Sequence, residues 1–258
     1  MRQFYNVFSN EKVSTLSTQL SWSHYTELLP IKDMSQLLYY LNLCISENID
    51  VRSLREKIKS KEYDRLPDDT KYKLTNEEET SIVDFVKNPI IIRNNTKYEI
   101  ITEKALQKLI LEDIPSFLKE LGTGFTFIDN EYKIKLGDRY NYIDLLLYNI
   151  KHKCYVVVEL KVTEVNSNHT GQVQKYMNYI DKNIKTIEEN KTVGIIICKQ
   201  NNEYVIKYCS DDRIIAREYE LVWYIFNNRK SVHSADIIKM ASIYSNIFNN
   251  QKVSPLVT

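Results

Sequence analysis

The sequence predicts an α/β protein: an all-helical N-terminal module followed by a core with a mixed central sheet flanked by helices. Three observations point there. Early segments such as "STLSTQLSWSHYTELLPI" and "MSQLLYYLNLCISENI" carry apolar positions at helical spacing. From Phe125 to Val162 the pattern changes to short apolar or alternating runs, divided by turn residues such as Gly137-Asp138. An amphipathic stretch, "TGQVQKYMNYIDKNIKTIEE", then precedes the apolar "TVGIIICK". Strands, helix, strand is the order of an α/β core.

Along the chain, the two leucine-rich helical segments lead into a basic one, "VRSLREKIKSKEYDRL", which carries Arg52, Arg55 and Lys59 on one predicted helical face. Polar, turn-rich residues ("PDDT", "TNEEET") mark a boundary, giving a helical module over 1–75 and a second domain over 76–225. That domain opens with a helix bearing Leu106, Leu109, Ile110, Ile114, Phe117, Leu118 and Leu121, stopped at Gly122; Pro115 within it predicts a kink. The runs "FTFID", "EYKIKLG", "YNYIDLLLY" and "CYVVVELKV" are expected strands. The next helix has its stripe at Val173, Tyr176, Met177, Ile180, Ile184 and Ile187, and "TVGIIICK" and the alternating "EYVIKYC" are further expected strands. Residues 226–258 form a divergent tail, expected to be helical in part.

Composition narrows the function classes. A chain of 258 residues can bury a core as one large domain or two modest ones. With 35 Lys and Arg against 34 Asp and Glu, the net charge of +1 excludes bulk attraction to polyanions as the binding principle, though not a local basic face. The four cysteines show no CxxC spacing and form no zinc pattern with the four histidines, so buried free thiols are expected. The longest apolar runs are far short of the ~20 residues of a membrane helix. No signal-peptide pattern opens the chain, so a cytoplasmic protein without a membrane partner is expected.

The chemistry concentrates in "CYVVVELKV". Side chains alternate along a strand, so Tyr155, Val157, Glu159 and Lys161 share one face of an otherwise apolar segment. In "YNYIDLLLY", Asp144 is expected on a face with Tyr142, Leu146 and Tyr148. If the two strands are antiparallel neighbours across "NIKHK", Asp144 and Glu159 converge. Two buried carboxylates repel each other and cost several kcal/mol to desolvate. A hard divalent cation such as Mg²⁺ relieves both costs, and an adjacent lysine can orient water or offset charge on a phosphate. The same charges also fit an edge-strand ion pair at the solvent boundary.

"IDLLLY" followed by "VVVELK" resembles the Asp…Glu-x-Lys signature of the PD-(D/E)XK nuclease superfamily, the restriction-endonuclease-like fold. The wider context, "FLKELGTGFTFIDNEYKIKLGDRYNYIDLLLYNIKHKCYVVVELKV" with "GQVQKYMNYID", resembles the core of its YhcG-type family, and "LSTQLSWSHYTELL" with "LREKIKSKEYDRL" resembles that family's helical N-terminal module. The resemblance implies a nuclease that hydrolyses phosphodiester bonds in DNA, with RNA left open. It implies Mg²⁺ as cofactor, with Mn²⁺ as a substitute. Asp144 takes the place of the metal-binding aspartate, Glu159 of the second acidic ligand and Lys161 of the catalytic lysine. Glu112 matches a further acidic position on the helix before the sheet, and the carbonyl of Leu160 joins the implied metal ligands. Gln172 and Tyr176 match a Q-x-x-x-Y pattern on the following helix. Tyr176 also has a plain place in the apolar stripe, Glu112 as a solvated helix residue and Gln172 as a cap.

Arg52, Arg55 and Lys59 are the expected nucleic-acid face, against the plainer reading of a salt-laced surface helix. Many nucleases of the superfamily pair up to cut two strands, so a homodimer is compatible. The first methionine corresponds to a point inside the family's N-terminal module, which suggests a shortened N-terminus. Together with the divergent tail, this keeps a second function in view: a nuclease fold that binds DNA or RNA, or serves assembly, without turnover.

Overall fold

Strands covered on both faces are apolar at nearly every position, whereas strands covered on one face alternate. The computed structural model follows this rule, with "YVVVEL" and "VGIIIC" inside the sheet and the alternating runs at its edge. It describes residues 20–76, 78–94, 98, 100–209, 211–224 and 231–233. The chain forms two units, Met1–Lys87 and Asn88–Thr258.

The described part of the first unit contains α1 (Trp22–Leu28), α2 (Met34–Glu47), α3 (Val51–Lys59) and α4 (Asp68–Thr75), then a 3₁₀ turn at Ile82–Phe85. Local chemistry sets the helix ends. Asp33 accepts from the Ser35 and Gln36 amides to start α2, Asn48 ends it in a left-handed conformation (φ 48°), and Asp50 caps α3 through the Ser53 amide. Tyr25, Leu28, Leu37, Tyr40, Leu41, Leu54 and Leu66 form the core between them. At its edge Glu62 is buried against Lys57 (3.0 Å), Lys87 (3.7 Å) and the Tyr39 hydroxyl (3.1 Å).

The second unit is built on a seven-stranded sheet. Its strands are β1 (Ile90–Arg93), β2 (Phe125–Leu136), β3 (Arg139–Asn149), β4 (Cys154–Glu164), β5 (Val193–Gln200), β6 (Ile214–Tyr224) and β7 (Ser231–His233). The order is β1-β6-β5-β4-β3-β2, with β7 paired to β6. β2, β3 and β4 form an antiparallel meander, β4, β5, β6 and β1 run parallel to one another, and β7 is antiparallel to β6. The connecting helices are α5 (Glu103–Glu112), α6 (Ile114–Leu121), α7 (Ser167–Asn183) and the short α8 (Glu203–Lys207).

α7 covers one face, where Val173, Tyr176, Met177 and Ile180 pack with Val157, Ile196, Cys198 and Leu146. Gly194 on β5 makes that approach feasible: a Cβ there would collide with Val173 and lie 2.7 Å from Met177 Sδ. The alternate set, including Leu145, Val156, Val158, Leu160, Ile195 and Ile197, is equally buried, and α5 and α6 pack against β4, β1 and β2. Among the described residues no helix is long and apolar enough to cross a membrane. Cys44, Cys154 and Cys198 are buried free thiols.

Several local expectations change. The kink at Pro115 is a full break: α5 ends at Glu112, Asp113 caps α6 through the Ser116 amide, and Pro115 sits in the first turn of α6, where it needs no N–H partner. "EYVIKYC" is not a strand. It forms α8, capped by Asn202, with Tyr204 and Tyr208 exposed, and the edge of β5 that it follows is taken by β6. The strand that completes the sheet is β6, over "IIAREYELVWY". α7 stops at Asn183, so Ile187 falls outside its stripe and is exposed. The tail reading over 226–258 lies outside the described residues except for β7.

Candidate active site

Two antiparallel strands stay together only while their ladder holds. β3 and β4 pair from Asn149↔Cys154 to Leu145↔Val158 and part immediately beyond. The next residues in register are Asp144 and Glu159. In the opening, Asp144 Oδ2 accepts a hydrogen bond from the Leu160 amide at 2.8 Å. A residue's N–H and C=O point to the same edge of an extended strand, so the Leu160 carbonyl faces the same opening. On the other side of β3 the register runs from Asn130↔Leu145 to Tyr132↔Ile143 across Glu131, which is left-handed at φ 50°. Alternation shifts here: Ile143 and Leu146 both enter the core under α7, although they are three residues apart. Asp144 therefore does not share a simple face with Tyr142 and Leu146. Its own carbonyl accepts from Gln107 Nε2 at 3.0 Å.

Glu159 is only 2 % exposed. Its Oε1 accepts from Lys161 Nζ at 3.0 Å and from Gln172 Nε2 at 2.8 Å. Gln172 Nε2 also donates to the Tyr176 hydroxyl at 3.0 Å, so one turn of α7 fixes the carboxylate. Glu159 Oε2 is buried and has no hydrogen-bond partner among the described residues. Lys161 Nζ reaches a second carboxylate, Glu103 Oε2, at 3.3 Å.

The electrostatics follow from this crowding. Burial, reinforced by the nearby Asp144 charge, pushes the Glu159 carboxyl up to about 7 against the opposing pull of Lys161. Burial also raises Asp144, opposed by the Leu160 amide and Lys161 and assisted by Glu103 and Glu131. For Lys161 burial acts downward, but Glu159, Glu103 and Asp144 outweigh it and hold the ammonium above its ordinary value. The cluster is rich in negative charge and holds one buried ammonium.

The structure thus brings together Asp144, Glu159, Leu160, Lys161, Gln172 and Tyr176. Glu112 stands at the other end of α5, exposed, about 13 Å along the helix from Glu103 at 1.5 Å per residue. The helix meets the site through its first turns, at Glu103 and Gln107. Neither is singled out by the sequence reading. The available signal is Gln107, a polar residue next to Leu106 within the apolar stripe and one turn from Glu103. In α3, Arg55 pairs with Glu27 at 2.6 Å and Arg52 with Glu56 at 3.4 Å, so two of the three cations expected to face nucleic acid carry their own counter-charge. Lys59 is exposed.

A divalent metal fits this arrangement on one observation in particular. Glu159 Oε2 is an orphaned buried acceptor in register with a second carboxylate, which is the donor chemistry a hard cation takes. Among the described residues no cluster of three or more His, Cys, Asp or Glu side chains is close enough to hold an ion, which leaves Asp144 and Glu159 as the candidate pair.

A family model described as the YhcG PDDEXK nuclease domain matches residues 83–229, and another, the DUF1016 N-terminal domain, matches residues 1–65. This chain belongs to the YhcG PDDEXK nuclease family. The curated relative "Putative nuclease YhcG" of Escherichia coli K12 is 23 % identical over 220 residues, covering 82 % of this chain. The match spans 59 % of that relative's length. Among solved structures, a repair endonuclease from Pyrococcus abyssi is 18 % identical, over 48 % of this chain and 49 % of that one, at a TM-score of 0.35. EndoMS in a complex with double-stranded DNA is 17 % identical, over 48 % of each chain, at a TM-score of 0.36. Nucleases of the PD-(D/E)XK class generally depend on a divalent metal. In this YhcG-family chain, β3 and β4 carry the Asp…Glu-x-Lys residues at the point where the two strands part.

Proposed function

We propose that the chain is a metal-dependent nuclease that hydrolyses phosphodiester bonds in DNA, with Asp144 and Glu159 holding Mg²⁺. The observation that carries this reading is the unpartnered, buried Glu159 Oε2 in register with Asp144. Leaving such an acceptor dry costs on the order of 1–3 kcal/mol, which a cation bound there would offset. Oxygen donors favour Mg²⁺, and Mn²⁺ accepts the same set. When bound, the ion supplies Lewis acidity and neutralises charge at the scissile phosphate.

The chain's own groups do the rest. Asp144, held by the Leu160 amide, and Glu159, held by Gln172, offer their remaining lone pairs to the ion. Lys161 Nζ, kept charged by its carboxylate neighbours, donates to the attacking water and offsets negative charge as it grows on the phosphate. Glu103 holds the ammonium from the solvent side. Gln172 and Tyr176 are positioning residues, since they act through Glu159.

The test is cleavage of single- and double-stranded DNA by the purified chain with Mg²⁺ or Mn²⁺. Lys161→Ala is expected to reduce the rate on the order of a hundredfold or more, by analogy with the loss of one preorganised charge-stabilising donor. Binding of DNA with no cleavage under either metal would instead support a silent nuclease fold. Cleavage that survives both Lys161→Ala and Asp144→Ala would sink the assignment.

A further inference from the structure

The hairpin that leads away from the site has two chemically distinct faces. On one, Tyr132, Ile134, Leu136 and Ile143 join the core under α7. On the other, the register sets Lys133 opposite Tyr142 and Lys135 opposite Tyr140, and cross-strand partners share a face. Tyr140 and Tyr142 are 56 % and 52 % exposed, and both lysines are exposed as well. Lys133 Nζ lies 3.9 Å from the centroid of the Tyr140 ring and Lys135 Nζ 6.0 Å from it. Two tyrosines and two lysines therefore alternate in a strip of aromatic surface and positive charge.

We propose that this strip binds an unpaired DNA strand on the hairpin that carries Asp144, stacking bases on Tyr140 and Tyr142 while Lys133 and Lys135 meet phosphates. The proposal rests on the nuclease reading for its choice of partner. Tyr142 and Tyr140 lie two and four residues from Asp144 on β3, about 7 and 14 Å along the strand at ~3.4 Å per residue. Between Tyr132 and Tyr142 the chain carries Lys133, Lys135 and Arg139 against Asp138 alone, a local excess of positive charge in a protein whose net charge is only +1. Aromatic faces interleaved with cations are the usual means of holding single strands without reading sequence, because every base has a π-face. In a duplex the bases are stacked inside, so only the lysines would find a partner.

The experiment is anisotropy of a fluorescent oligothymidylate of about 16 nucleotides, long enough for one such site, against the full chain with chelator present to prevent cleavage. Tyr140→Leu and Tyr142→Leu are expected to weaken binding roughly five- to a hundredfold each, while a duplex of equal length binds as before. Tyr140→Phe and Tyr142→Phe keep the π-face and are expected to bind like the parent, which separates stacking from loss of the hairpin. Lys133→Gln with Lys135→Gln should flatten the salt dependence for the single strand by about 1.4 in log–log slope, 0.7 per phosphate contact. Leucine variants that melt normally and bind the oligonucleotide like the parent would overturn the proposal, as would equal losses on single strand and duplex. A chain that cuts nothing yet binds through the tyrosines would remove the nuclease reading and leave this surface standing. A chain that cuts duplex but binds single strands independently of the tyrosines would do the reverse.

Discussion

At the scale of single residues, Glu159 is where folding and proposed function meet. A carboxylate with one buried, unpartnered oxygen and an acidic neighbour is poorly suited to a core, and its raised pKa expresses that cost. A ligand that binds only the folded state stabilises it, by about 2.7 kcal/mol at a hundred times its dissociation constant. Mg²⁺ is therefore expected to raise the melting temperature of the parent, whereas Asp144→Asn and Glu159→Gln should abolish the shift. Thermal melts with and without the ion check this, independently of any cleavage. Gln172 supplies the second residue-scale prediction. It holds Glu159 Oε1 at 2.8 Å from α7 rather than from the sheet. Gln172→Ala should lower the cleavage rate about ten- to a hundredfold, as loss of an orienting partner does at metal sites. Its melting temperature should change little, and DNA affinity without metal should hold.

At the scale of elements, α7 and β5 are joined through one small residue. Gly194 leaves room for Val173 and Met177, and any side chain there forces those two residues of α7 to shift. Gly194→Ala is expected to destabilise the core by about 1–3 kcal/mol through overpacking, measured by chemical denaturation. A displaced α7 would also carry Gln172 away from Glu159, so cleavage should fall with stability. The meeting of Asp144 and Glu159 is legible in the sequence at this scale, because hairpin register and side-chain alternation are local properties. The break of the alternation at Asp144 is not: it lies opposite Glu131, whose backbone is left-handed on the neighbouring strand. The misread "EYVIKYC" has a similar cause, since a short alternating run becomes a strand only where a sheet edge is open to receive it.

At the scale of the whole molecule, the helical unit carries a sensitivity to acid of its own. In the helical unit, burial would raise the Glu62 carboxyl, but the Lys87 and Lys57 charges and the hydrogen bonds from Lys57 and Tyr39 hold it below its ordinary value of 4.5. A folded pKa below the unfolded one contributes stability that is full above about 4.5. That stability is lost as pH falls through the folded value. Glu62→Gln removes the carboxylate that Lys57 and Lys87 share, and is expected to destabilise the helical unit by about 1–3 kcal/mol near neutral pH. The gap between parent and variant should narrow as pH drops below 4.5, followed by circular dichroism melts across the acid range.

By itself the sequence determined the α/β class, the antiparallel run into β4 and the clustering of Asp144, Glu159 and Lys161, because each depends on residues close together in the chain. The tertiary structure decided what surrounds them. It set Glu103 and Gln107 at the site and Glu112 at the far end of the same helix, completed the sheet with β1 and β6, and left Glu159 Oε2 without a partner among the described residues. Which end of a helix meets a sheet is fixed by packing between residues far apart in sequence, and periodicity carries no information about it.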